Sequence, residues 1–199
     1  MLQSTSRKLT VYLICNHIID PAMSEVYQYG LELTLSTLFT SSAIMLIAYV
    51  RDSLLYGLLY FAVSVPLRMT AGGYHAPTYF RCFLISNGTY LAVSMLSESL
   101  SSLSLPHSFW LALLFCSACY IAANCPVRNL HHLVSASVLK KNRQIAIFLL
   151  CALCYLILLL YFMLQRSYLL NFMIITISSV AIFILPAKRK QFGEMSRGK

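Results

Sequence analysis

The sequence predicts an all-α, polytopic integral membrane protein of about six transmembrane helices with an N-terminal interfacial helix. Three observations predict it. Hydrophobic residue types make up 59% of the 199 residues, charged types only 11%, and mean hydropathy is +0.73. A soluble domain is typically about 25% charged. The apolar residues also fall in runs, and a span needs roughly 20 of them. Finally, the basic residues lie between those runs, where loops and headgroups hold them. The net charge of +9 is explained first by topology and anionic headgroups, and nucleic acid is not expected as a partner.

Residues 1–30 read as an interfacial, amphipathic segment. Over 4–19, apolar Leu9, Tyr12, Leu13, Ile14, Ile18 and Ile19 alternate with Arg7, Lys8, Asn16 and His17, which is too short and polar to span. Arg7-Lys8 before an apolar stretch faintly imitates a signal peptide, but no small-residue cleavage site follows, and the segment is expected to be retained. Asp20-Pro21 reads as an N-cap with proline at the first helical position. The transmembrane core is expected over 31–186, with spans Leu31–Val50, Leu54–Leu67, Tyr79–Leu96, Ser108–Ala123, Ile145–Leu164 and Tyr168–Leu185. The second, of 14 residues, suits a tilted or partly re-entrant element. Residues 187–199 form a basic tail. The whole is one membrane domain.

With the N-terminus inside, thirteen of the fifteen Lys and Arg residues fall on the inner side and only Arg51 and Arg166 outside. This positive-inside bias puts both termini on the cytoplasmic side of a cell membrane, together with the polar stretch Arg68–Cys82. Ser36, Thr40 and Ala43 make a small-residue face that suits packing within one subunit or in a homodimer.

That polar stretch carries the chemistry. It holds Gly72-Gly73, Pro77, Arg68, Arg81, and His75 seven positions before Cys82. An imidazole that takes a thiol proton leaves a nucleophilic thiolate. Seven residues of continuous helix would separate the two by about 10 Å, so the chain must turn between them. Pro77 disfavours helix at Ala76 and fits the start of a new one. His75 is therefore expected in a loop folded over the next helix, with Cys82 in its first turn, in a field that favours the thiolate. A cysteine in a span is more often a small buried hydrophobe. An ionisable cluster at a span boundary is a functional site by default.

Arg68, Gly72-Gly73-Tyr74-His75-Ala76 and Cys82 together resemble the signature of the AgrB family of accessory gene regulator proteins. Weaker similarity covers most of the chain, including Cys125-Pro126-Val127 at the start of a basic loop. Val127-Arg128-Asn129 follows where family members tend to have an acidic residue and a longer basic run. The resemblance implies a membrane cysteine endopeptidase of bacteria with Cys82 as nucleophile and His75 as base, and with Arg68 and Gly73 needed for activity. It also implies the substrate, a short quorum-sensing precursor with an acidic C-terminal tail. Arg128, Lys140, Lys141 and Arg143 offer a complementary surface for that tail, or serve as topology signals alone. No cofactor and no metal is expected.

Two other functions compete. Cys116-Ser117-Ala118-Cys119 and Cys151-Ala152-Leu153-Cys154 are CxxC pairs, as in a membrane thiol–disulfide oxidoreductase. Both fall mid-span, where such residues most simply pack. His131-His132 with Cys125 matches no standard zinc spacing. A small transporter would carry ionisable or broken-helix features at mid-membrane, and none is evident. Ser86 and Asn87 stand near Cys82 as candidates for orienting the site, or as helical residues bonding their own backbone.

Overall fold

The computed structural model describes residues 2–16, 18–72, 78–103, 105–127, 136–164 and 168–197, with side chains for all of these except Leu2, Ala136, Leu164 and 187–197. The described residues are all-helical. They form α1 (Leu2–Cys15), α2 (Ser24–Val50), α3 (Leu54–Ala71), α4 (Tyr79–Ser102), α5 (His107–Asn124), α6 (Ala136–Leu164) and α7 (Tyr168–Arg197), with a 3₁₀ turn at Pro21–Met23.

The entry to α2 follows the local sequence closely. Asp20 is in the extended conformation, its carboxylate accepts from the Ala22 amide at 2.9 Å, and Pro21 opens the 3₁₀ turn. Such a cap satisfies donors that a helix start otherwise leaves bare. α1 packs on α2 and buries only Ser6 and Thr10 of its side chains described. It is a surface helix, as its mixed composition requires.

Five helices are long and apolar enough to cross a membrane: Pro21–Val50, α3, α5, Ser137–Met163 of α6 and Tyr168–Pro186 of α7. This is a polytopic membrane protein. The sixth expected span, α4, is long enough but too polar to join them. It carries Arg81 and Glu98, and it turns Asn87, Ser94 and Ser97 inward against α2 and α7. α7 lies at the centre, packed on α3, α4 and α5. Its Leu170, Phe172, Ile174, Ile177 and Ile184 are fully buried, which fits a largely apolar helix enclosed by its neighbours.

Several boundaries move, among them the end of α4, which runs on from Leu96 to Ser102. α3 does not stop at Leu67 but runs four residues further to Ala71 with Pro66 inside it. Proline removes one i→i−4 bond, and packing of α3 on α6 and α7 outweighs that loss. α6 begins at Ala136, so Lys140, Lys141 and Arg143 stand on a helix rather than in a loop. α7 continues past Pro186, so most of the basic tail is helical.

α2 and α3 make a tight hairpin. Asp52 takes φ 51°, a left-handed conformation Asp tolerates. Just beyond, Gly57 touches α2 so closely that a Cβ there would lie 2.9 Å from Ala48 Cβ. Ser36 is buried within the subunit, and Thr40 and Ala43 are half-buried.

Candidate functional site

Successive long helices run in opposite directions, so one end of the bundle collects the end of α3, the starts of α4 and α6, and the residues after α5. Thr78 caps α4, its hydroxyl accepting from the Arg81 amide at 3.3 Å. The Cys82 amide bonds to the Thr78 carbonyl at 3.0 Å, the first full helical bond of α4. Cys82 thus stands in the first turn, as expected, and is half-buried. The described helix opens at Tyr79. His75 and Gly73 lie outside the described residues, as do Pro77, Arg128 and His131-His132.

Arg68 occupies the last turn of α3, where a cation complements the helix dipole. Its guanidinium rests over the Phe183 ring of α7, 4.8 Å from the centroid. Such contacts contribute about 0.5–2 kcal/mol and fix a side chain that would otherwise sample many rotamers.

Gly72 ends α3 at φ 75°, ψ −176°, a region essentially reserved for glycine. The reason for the glycine is next to it. The Val127 amide donates to the Ala71 carbonyl at 3.0 Å. A Cβ at residue 72 would lie 3.1 Å from the Val127 carbonyl oxygen and 3.3 Å from its nitrogen. The end of α3 is therefore pinned to the segment that follows α5. Cys125, in that segment, is buried, and burial pushes its thiol up while the Arg143 charge works against the rise. Of the cysteines here, Cys82 is the more accessible. Lys140, Lys141 and Arg143 are exposed on α6, as is Arg81 on α4.

One residue the sequence reading passed over joins this end. Glu32 of α2 is 7% exposed. Its Oε1 accepts from the Ser6 hydroxyl at 3.2 Å and from the Gln28 amide at 3.1 Å, and its Oε2 accepts from the Tyr79 hydroxyl at 3.2 Å. The signal was available: an acid inside an apolar span is a functional residue by default.

Asn87 is buried but bonds the Phe83 carbonyl of its own helix at 2.9 Å. Further along α4, on the side that helical spacing gives to Cys82, lies an apolar cavity of about 600 Å³ between α4, α5 and α7. Ile85, Ala92, Leu113 and Phe183 line it. Its hydroxyls, on Thr89, Ser178 and Ser179, bond carbonyls of their own helices, so its wall carries no chemistry. Among the described residues the cysteines of both CxxC pairs are free thiols, and no group of three or more metal-ligating side chains occurs.

The family model for AgrB, accessory gene regulator B, matches residues 6–185. No curated protein and no solved structure matches the chain significantly.

Proposed function

Because the chain belongs to the accessory gene regulator B family, with its role in quorum-sensing peptide processing, we propose that it is a membrane cysteine endopeptidase. The match spans the polar stretch as well as the helices. The observation that supports the reading best is the position of Cys82, half-buried in the first turn of α4. That turn lies at the same end of the bundle as Arg68 and Gly72.

In this reading His75 takes the Cys82 proton. The thiolate sulfur attacks the carbonyl carbon of one peptide bond in the precursor. The C–N bond breaks, the imidazolium returns its proton to the leaving amine, and the acidic tail departs as a free peptide. The rest of the precursor stays on Cys82 as a thioester. A cysteine or serine side chain within the bound peptide, deprotonated by His75, then attacks that thioester. The bond to Cys82 breaks, its sulfur is reprotonated, and a thiolactone or lactone ring leaves. Exchange of one thioester for another is close to neutral in energy. Ring closure outruns hydrolysis when the internal nucleophile is held close and water is kept away, and the membrane boundary favours both.

Backbone amides at the start of α4 are the natural donors to the oxyanion. The exposed Lys140, Lys141 and Arg143, with Arg128, suit recruitment of the acidic tail. The positive-inside distribution supports a cytoplasmic position for this end. The deciding experiment is co-expression with the precursor followed by mass spectrometry of the intact protein. A peptide adduct on Cys82, absent from Cys82→Ala, is the expected result. Undiminished tail release by Cys82→Ala would overturn the assignment.

A further inference from the structure

We propose that Glu32 is a positioning residue for the Cys82 nucleophile, acting through the Tyr79 hydroxyl. The inference rests on the peptidase reading above. It starts from a group whose burial needs a reason. A carboxyl taken out of water is costly unless hydrogen bonds replace the lost solvation. Glu32 receives three, from Ser6 on α1, Gln28 on its own helix and Tyr79 on α4. No salt bridge reaches it among the described residues. The pocket is built to hydrogen-bond a fixed acceptor rather than to neutralise a charge.

What that acceptor holds is the first residue of α4. A helix start is the part most prone to fray, since its first amides have no helical partners. At α4 the Thr78 cap supplies one bond, to Arg81. Tyr79 adds a tie across to α2, 47 residues away in the chain. Residues three apart on a helix are neighbours on its surface, so fixing the Tyr79 ring fixes the turn that carries Cys82. A thiolate must meet its carbonyl in one geometry, and a misplacement of about 1 Å costs roughly a hundredfold in rate.

The test uses the full-length protein in membranes with its precursor, and separates kcat from KM. Glu32→Ala and Tyr79→Phe should each lower kcat about tenfold with KM changed less than about twofold. The double variant should be no worse than Glu32→Ala alone, because both remove one tie. Glu32→Gln should recover most of the loss. Its oxygen still accepts from Tyr79, while its amide donates to Ser6 and to a flipped Gln28. Where Glu32→Ala fails to insert, Tyr79→Phe carries the test, since it removes only a hydroxyl. Unchanged kcat in both single variants, losses confined to KM, multiplying losses, or a Glu32→Gln as poor as Glu32→Ala would each overturn the inference. If Cys82→Ala is dead while Glu32→Ala and Tyr79→Phe are untouched, only this inference falls. If Cys82→Ala still cleaves, the peptidase reading falls and takes this one with it.

Discussion

The two ends of the helical bundle handle polar groups in opposite ways. At the end away from Cys82, side chains close on one another. Arg51 meets Glu98 at 2.6 Å, Asn171 donates to the Ser101 hydroxyl at 3.1 Å, His107 bonds the Tyr161 hydroxyl, and Tyr56 stacks edge-on against Tyr168 at 4.9 Å. These contacts join α2 to α4, α7 to α4, α5 to α6 and α3 to α7. At the Cys82 end the ties run through backbone and a buried acid instead, and Arg81, Lys140, Lys141 and Arg143 stay exposed. One end is a seam. The other presents cations and a half-buried thiol to whatever approaches, which is the distribution expected of a surface that receives an acidic chain.

That contrast can be broken most forcefully at the thiol. Cys82→Ala and Cys82→Ser should each cut precursor cleavage by about a thousandfold or more with insertion unchanged, and His75→Ala by about a hundredfold or more. Tail release measured in membranes checks both, and retained activity would erase the distinction between the ends. Gly72→Ala comes next. Its φ of 75° and the Val127 backbone beside it should cost about 1–3 kcal/mol. A lower thermal midpoint in detergent and a matching fall in cleavage are expected.

Arg68→Ala should lower cleavage by about tenfold, and more than Arg128→Ala. The first residue packs at the site over Phe183, while the second at most recruits a tail. Steady-state rates for the two would sharpen the comparison, and equal losses would refute the division of labour. The smallest effect belongs to the seam. Arg51→Ala or Glu98→Ala removes an ion pair in which Glu98 is 52% exposed, so thermal unfolding should report less than about 1 kcal/mol. Cleavage should hold near wild type.

Much of this architecture was legible from local signals. The apolar runs, Asp20-Pro21 and the helix start just before Cys82 each depend on neighbours in the chain, and each is found as a helix or a helix start. The end of α3 was harder to read, because Pro66 and Arg68 both look like stop signals. Contacts with α6 and α7 override them. α4 is the least apolar of the six expected spans, and where its polar residues Asn87, Ser94 and Ser97 go, inward against neighbouring helices, is something no apolarity count sees. The contacts made by Glu32 and Val127 were hidden for a deeper reason. Apart from Gln28, their partners lie 26 to 56 residues away, so these contacts exist only once the helices have met. The general base proposed at His75 stands outside the described residues, and its assignment rests on the motif.

The close approach of Gly57 to Ala48 makes the α2–α3 hairpin a pair of arms joined at the foot. Glu32 rides on one arm and Arg68 on the other. Arg68 is eleven residues above Gly57, about 16 Å at 1.5 Å per residue. A wedge that opened the joint by only three or four degrees would swing Arg68 sideways by about 1 Å, the scale of error that catalysis does not forgive. A methyl group at the far side of the membrane would thus be amplified by leverage into a change at the chemistry.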